Sequence, residues 1–277
     1  MAGIGKIIRT SPPPSNVAAN STASGSIAPG RTIEGIIFKC GGTFDVQTHI
    51  SLIRIKANGK TIIEGTGAQL SALDEFKGAT HSDSYLHIDF TERLKGRDFL
   101  DQMAGGFDTS LGVANITYEV TIGAATSPTL AVYTIESAPQ SVAGLPFAGL
   151  LSKVLRYPYS VAAGGALNIP LPFGPVNGAI IKRIHLFEGT AGRITGVTVK
   201  ADASVIHDTL DADNDFINVQ HRNINQTGVY SLDFMPDGNS KNAFDTRGLA
   251  SLELQPTFSA ADSGMVLVEY LDKLGNL

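Results

Sequence analysis

The sequence predicts an all-β protein made of two tandem eight-stranded jelly-roll sandwiches with a few short helices. Its 277 residues include 30 glycines and 13 prolines, which favour turns over long helices. Segments of alternating apolar and polar residues recur along the chain, which is the period of a half-buried strand. Residue types also recur at one fixed separation, 144 positions, as expected of a duplicated domain. We therefore expect a double jelly roll.

The repeat rests on several short matches in the same order at that one offset. The matched pairs are Val17-Ala18-Ala19 with Val161-Ala162-Ala163, Ile36-Ile37 with Ile180-Ile181, Lys56-Ala57 with Lys200-Ala201, Leu86–Phe90 with Tyr230–Phe234, and Asp101 with Asp245. The strand patterns repeat with the letters, because Leu86, Ile88 and Phe90 alternate with polar residues as their counterparts do. Each repeat is therefore expected to form one sandwich.

This repeat divides the chain into four segments. They are an N-terminal arm (1–15), a first jelly roll (16–137), a linker rich in Ala, Leu and Gly (138–156) and a second jelly roll (157–277). Short helices are predicted at Gln69–Lys77, Arg97–Met103, Asp211–Gln220 and Asn242–Arg247. Asn58-Gly59, between two strand patterns, predicts a two-residue hairpin turn.

Composition excludes several classes of protein. Hydrophobic residues make up 43% and charged residues 17% of the chain, and no apolar run approaches the ~20 residues of a membrane-spanning helix. The net charge of −5, without a run of basic residues, argues against direct or sequence-specific nucleic-acid binding. The one cysteine, Cys40, lies in an apolar strand pattern, so burial is expected. Without a signal-peptide pattern, we expect the chain to fold in a reducing cytoplasm.

No catalytic motif is complete. Asn58-Gly59-Lys60-Thr61 ends like a phosphate-binding loop, but Arg54 stands where the first glycine is required. The six histidines neither cluster nor repeat at the 144 offset, so a cupin-like metal site is not expected. We therefore expect no enzyme and no required cofactor. A tandem-sandwich carbohydrate-active enzyme or glycan-binding protein is the alternative, weakened by the absence of tryptophan.

Acidic residues are concentrated at one place, where Asp208, Asp211, Asp213 and Asp215 precede an amphipathic helix pattern. Two interpretations stay open. Asp211 or Asp213 could cap the helix N-terminus. Alternatively, the four carboxylates could contribute to a Ca²⁺ site, although an EF-hand is excluded because Phe216 and Arg222 stand where glycine and glutamate are needed.

The charged residues of the N-terminal segment are basic only, with no acid before Glu34. It is either a loose terminus or a contact segment for a neighbouring subunit or an anionic membrane. The residues that would make such a contact are Ile4, Lys6, Ile7, Ile8 and Arg9.

Short strings across nearly the whole chain resemble one known family. They are Asn16–Ala19, Gly30–Glu34, Ala212–Ile217, Tyr230–Met235 and Val268–Tyr270. The family is the double jelly-roll major capsid protein of corticovirus-like bacteriophages, which are icosahedral viruses with a double-stranded DNA genome and an internal membrane. Residues 1–14 and 238–263 depart from it.

This resemblance implies a role and a set of partners. The chain would form homotrimers of pseudo-hexagonal outline that tile the capsid facets over the internal membrane, with the N-terminus inside. Its partners would be neighbouring trimers, penton or minor capsid proteins, and the membrane or its proteins. Its location would be the virion capsid, after synthesis in the cytoplasm of the host bacterium.

Overall fold

A computed structural model describes residues 5–110, 112–140 and 149–276 of the chain. These residues divide into two compact units. Unit 1 comprises the described residues of Met1–Glu75, Ala79–Val154 and Asp272–Gly275, and unit 2 those of Phe76–Gly78, Leu155–Leu271 and Asn276–Leu277. The strands β10 and β18 defined below therefore each have residues in both units.

Unit 1 is built on antiparallel strands. Its strands are β1 (Ile7–Thr10), β2 (Thr22–Ile27), β3 (Thr32–Gly41), β4 (Ile50–Ala57), β5 (Lys60–Gly65), β6 (Tyr85–Asp89), β7 (Phe107–Asp108), β8 (Ile116–Ile122) and β9 (Thr129–Ser137). Its helices are α1 (Val46–His49), α2 (Gly67–Phe76) and α3 (Phe99–Gln102). The strand orders are β1-β9-β3-β6, which we call the first sheet, and β5-β4-β8-β2, with β7 paired to β3. This order, in which early strands pair with late ones, is that of a jelly roll.

Unit 2 has the same plan. Its strands are β10 (Leu150–Val161), β11 (Gly165–Ala166), β12 (Ile180–Phe187), β13 (Ile194–Ala201), β14 (Ser204–Leu210), β15 (Val229–Asp233), β16 (Phe244–Asp245), β17 (Leu252–Phe258) and β18 (Asp262–Lys273). Its helices are α4 (Gly174–Asn177), α5 (Asp211–Gln220) and a 3₁₀ turn at Ser240–Asn242. The orders β10-β18-β12-β15 and β11-β17-β13-β14 repeat those of unit 1, and β16 pairs with β12 as β7 does with β3. The predicted double jelly roll is confirmed.

Each unit has its own core, formed by the inward residues of alternating strands. In β8, Ile116, Tyr118, Val120 and Ile122 are buried while Thr117 is exposed. The unit 2 core includes the inward residues of β12, β13, β17 and β18. Each fully buried large apolar side chain contributes about 1.5–3 kcal/mol. Period-two burial therefore accounts for most of the predicted strands.

The predicted hairpin turn joins β4 to β5. Asn58 and Gly59 have φ angles of 49° and 80°, the left-handed values that a two-residue turn of this kind requires. Asn58 also anchors the turn, because its side-chain oxygen accepts the backbone N–H of Ala114 at 2.8 Å. The phosphate-loop interpretation has no structural counterpart here.

The 144 offset holds over a continuous middle part of each unit. The strands β4 and β13, the helices α2 and α5, and the strands β6 and β15 have identical bounds when shifted by 144. The match of Leu86–Phe90 with Tyr230–Phe234 is therefore confirmed as a structural equivalence.

Two of the sequence matches are wrong as structural equivalences. Ile36 lies opposite Ile88, whereas Ile184 lies opposite Leu232, the counterpart of Ile88, so β3 corresponds to β12 at a separation of 148. The equivalent of Ile36 is therefore Ile184, and not Ile180. Likewise Asp245 belongs to β16, the counterpart of β7, so its equivalent is Asp108 rather than Asp101. Insertions outside the middle segment shift these elements.

The predicted helices are partly confirmed. The interval 211–220 is helical as predicted, and α2 begins two residues earlier and ends one residue earlier than expected. The helix predicted at Arg97–Met103 is present but shorter, because α3 covers only Phe99–Gln102. The fourth prediction, over 242–247, is wrong, because Phe244–Asp245 pairs with β12 as a strand and only the 3₁₀ turn before it is helical. Tertiary pairing overrides local helix propensity there.

Candidate functional site

The N-terminal segment contributes the first strand of unit 1. Residues 7–10, within the predicted arm, form β1, which pairs antiparallel with β9 from Ile7 opposite Glu136 to Thr10 opposite Tyr133. Ile8 is 72% exposed, while Ile7 is half-buried. Ile4 lies outside the described residues. Whether these residues contact a neighbour or a membrane stays a prediction.

Both basic residues of this segment bind buried carboxylates of unit 1. The Lys6 ammonium lies 2.7 Å from Glu34 Oε2. Arg9 donates from Nη2 and Nε to Glu136 Oε1, at 2.7 and 3.1 Å. Glu136 is fully buried, and the Thr134 hydroxyl also donates to it at 2.6 Å. Because a buried carboxylate is costly without partners, these contacts tie the segment to its own unit.

The four aspartates of the acidic concentration lie on two elements. Asp208 is in β14, where it accepts a hydrogen bond of 2.9 Å from the Thr198 hydroxyl. Asp211 and Asp213 lie in the first turn of α5, and the N-cap residue is Leu210, with no side-chain capping bond. The prediction that Asp211 or Asp213 accepts the free N–H groups is therefore wrong. Their charges still favour the positive end of the helix dipole.

A small cavity lies beside this helix. It has a volume of about 270 Å³ and is lined by Glu188, Asp211, Asp215 and Tyr230, among others. Burial raises the pKa of Asp211, and burial followed by the nearby Asp211 charge raises that of Asp215. Within the described ranges, no group of three or more His, Cys, Asp or Glu side chains could hold a metal ion.

Sequence reasoning missed a buried charge cluster in unit 2. Its centre is Glu269, which is 3% exposed and lies 3.0 Å from His185 Nε2, 3.5 Å from Arg183 Nη1 and 3.9 Å from Lys182 Nζ. Arg183 Nε lies 3.2 Å from Asp233 Oδ1. The available signal was the run Lys182-Arg183 inside the apolar strand β12, since buried charges occur only where partners exist.

The electrostatics of this cluster favour an ionised Glu269. Burial alone would raise its pKa, but the charges of Lys77 and Arg183, the hydrogen bond with His185 and the charge of Lys182 together hold it well below the usual range. His185 is fixed from its other side by the Ser231 hydroxyl, at 2.8 Å from Nδ1. The cluster is enclosed and presents no open position to a substrate.

The remaining reactive groups are also held in structural roles. Cys40 is buried, and burial followed by the nearby Asp45 charge raises its pKa to about 12, so it is not a thiolate nucleophile. His87 contacts Asp74 at 2.9 Å, and His81 lies between Glu75 and Asp83. Over the part of the chain that is described, no helix combines the length and apolar character needed to cross a membrane.

Two jelly rolls in one chain, each with the same strand order, define the double jelly-roll fold. Among solved structures, the chain is similar to the major capsid protein P2 from bacteriophage PM2, with a TM-score of 0.83 and 21% identity over 96% of this chain and 97% of that one. It is also similar to the STIV MCP, from Sulfolobus Turreted Icosahedral Virus, with a TM-score of 0.73 and 16% identity over 96% of both chains. These likenesses show the fold.

The family follows from the sequence profiles. The profile of the viral coat protein P2 N-terminal domain matches residues 8–137, and that of the C-terminal domain matches residues 151–274. The chain therefore belongs to the viral coat protein P2 family. No curated protein sequence matches it significantly. It is a structural, non-enzymatic component of a viral capsid, so the carbohydrate-active alternative is wrong.

Proposed function

We propose that the chain is the major capsid protein of an icosahedral bacteriophage with an internal membrane, and that its homotrimers tile the facets of the capsid. The observation that carries this proposal is the presence of two jelly rolls of the same strand order in one chain. Three copies supply six similar lobes, and six similar lobes around one axis make a near-hexagonal tile that packs into a flat facet. One gene then suffices for the facet.

The proposed partners follow from this arrangement. Trimers contact neighbouring trimers within a facet, penton or minor capsid proteins at its corners, and the membrane or its proteins beneath it. The exposed Ile8, at 72%, with the adjoining Ile4 and Ile7, is the candidate segment for a neighbour or the membrane, while Lys6 and Arg9 hold this segment to unit 1. Synthesis takes place in the host cytoplasm, and the mature location is the virion.

The test is the molar mass of the purified full chain by light scattering across a concentration series. A trimer has three times the 29.1 kDa of one chain. We expect that mass at assembly concentrations and in gently dissociated particles. A monomer under both conditions would overturn the proposal.

A further inference from the structure

Unit 2 covers one face of its β10-β18-β12-β15 sheet with the segment Phe76–Gly78. The Phe76 ring meets His185 edge-on, with the ring centroids 5.2 Å apart. The Phe76 carbonyl accepts the Ile224 N–H at 3.0 Å, and the buried Lys77 acts electrostatically on Glu269. His185 and Glu269, which face away from the apolar core of unit 2, are 1% and 3% exposed. The part of this sheet face around His185 and Glu269 is therefore closed.

The repeat places an equivalent segment at the end of α5. A shift of 144, the offset that relates α2 to α5, takes Phe76–Gly78 to Gln220–Arg222. Both segments end on a left-handed residue, with φ of 97° at Gly78 and 60° at Arg222. The second segment lies at the surface of unit 2, because Gln220, His221 and Arg222 are all exposed.

The residues around this second segment are apolar and exposed. Phe216 is 65% exposed and Val219 is 56% exposed, while Asn214 and Asn218 face inward and donate to the Ser231 carbonyl. Surface helices usually show the reverse arrangement, with apolar residues inward. Exposed apolar side chains that are grouped on one element mark an interaction site.

Unit 1 presents an equivalent sheet face that is only partly covered. Ile37 lies opposite His87, as His185 lies opposite Ser231, so Ile37 is the counterpart of His185. By the same reasoning, Ile135 is the counterpart of Glu269. Both isoleucines are half-exposed, and Ile8, which lies opposite Ile135, is 72% exposed. At these two positions unit 1 carries isoleucines, whereas unit 2 carries His185 and Glu269.

We propose that the end of α5 in one copy, Val219–Arg222, docks on the first sheet of unit 1 in a second copy, around Ile37 and Ile135. This contact between two copies would be equivalent to the contact that Phe76–Gly78 makes inside unit 2. The proposal rests on the proposed function, since a head-to-tail contact forms a closed assembly only where the rotation between copies closes a ring, and the proposed trimer is such a ring of three copies.

The first test compares two Val→Asp variants of the full chain by sedimentation equilibrium. Val219→Asp places a charge in the proposed contact, and we expect a rise of at least about tenfold in the dissociation constant of the trimer. Val176→Asp is the matched control, because Val176 is 77% exposed in the same unit and lies on α4, outside the contact. Both positions are exposed, so both variants should fold. Equal assembly of the two variants would overturn the proposal.

The second test is cross-linking between copies with a short bifunctional maleimide. The double variant Gln220→Cys/Ile37→Cys should give linked pairs and triples of chains, while each single variant should give none, since Cys40 is buried. Links in the Gln220→Cys single variant would show a symmetric contact and overturn the docking. A trimeric double variant without links would also overturn it while leaving the proposed function intact. Absence of a wild-type trimer would refute the proposed function itself.

Discussion

The two jelly rolls differ most where their strands are most clearly equivalent. In unit 2, Arg183 on β12 lies opposite Glu269 on β18, whereas the same pair of positions in unit 1 holds Gly35 and Ile135. The two units have the same backbone pairing, and in both units the inner face of the sheet is apolar. The fold is therefore determined by the core face of each sheet, while the other face can carry a charge cluster or an apolar surface.

The helices α2 and α5 also carry different side chains at equivalent positions. In α2, Leu70 is buried and Asp74 contacts His87. At the equivalent positions of α5, Asn214 and Asn218 both donate to the Ser231 carbonyl, at 2.9 and 3.0 Å. Asp74 of α2 and Asn218 of α5 therefore bind equivalent strand positions, His87 and Ser231, by different chemistry. Four variants test how far the two units differ in the interactions that stabilise each of them.

The largest effect is expected at the centre of the unit 2 charge cluster. Glu269→Ala leaves Arg183, Lys182 and His185 buried without their shared anion, and breaking such a cluster costs about 3–5 kcal/mol. The measurement is urea unfolding of the full chain. Glu253→Ala is the control, because the Glu253 side chain is partly exposed, pairs with Lys200 and accepts a hydrogen bond from Gln255, so the substitution should cost less than about 1 kcal/mol. Similar losses in the free energy of unfolding for the two variants would contradict a stabilising role of the buried cluster.

Acid should remove the stability that the same cluster contributes. Because the folded-state pKa of Glu269 is lowered, its contribution is fully present above the pKa of the unfolded chain, about 4.3, and is lost as pH falls toward the folded value. We expect the free energy of unfolding to decrease below about pH 4.5, and to decrease less steeply in Glu269→Gln. Parallel pH profiles for wild type and variant would show that this carboxylate does not contribute.

A smaller effect is expected in unit 1, where one carboxylate depends on the N-terminal strand. Arg9→Ala removes the charge-assisted hydrogen bonds to the buried Glu136, and we expect a loss of about 1–3 kcal/mol. Arg54→Ala, which breaks a more exposed pair with Glu64, is the matched control and should cost less than about 1 kcal/mol. If Arg9→Ala were neutral in urea unfolding, β1 would not be an energetic part of unit 1.

The smallest effect is expected at the start of α5. The exposed Asp213→Asn removes one favourable charge from the helix dipole and should cost less than about 1 kcal/mol. Because the aspartates lie on two elements and Asp211 and Asp213 occupy one helical turn, we expect the melting temperature of particles to be unchanged by a calcium chelator. A chelator-dependent fall that Asp213→Asn abolishes would instead support the Ca²⁺ hypothesis.

Much of the fold could be predicted because its signals are local. Alternating apolar and polar residues predicted β8 and β6, and Asn58-Gly59 predicted the hairpin turn. The repeat predicted α5 with its observed bounds. The repeat offset could not be followed to the ends of each unit, because insertions shift β3 against β12 and β7 against β16. Register of that kind is set by pairing between distant strands.

The charged features were harder to read for the same reason. Arg9 and Glu136 are 127 residues apart in sequence, so nothing near Arg9 indicates that it completes a buried ion pair. Lys182, Arg183 and His185 could be seen as charges within an apolar strand, but their anion lies on β18, 84 residues beyond His185. A single sequence shows that such groups need partners and does not show which partners they find.

We propose that the two units are equivalent lobes of one capsomer, and electron cryomicroscopy of assembled particles can show this arrangement. We expect three chains per capsomer and six lobes of similar density, each fitted by one four-plus-four-stranded jelly roll. Units 1 and 2 should alternate around the axis. A capsomer with a different number of chains, or one in which only one unit of each chain surrounds the axis, would contradict it.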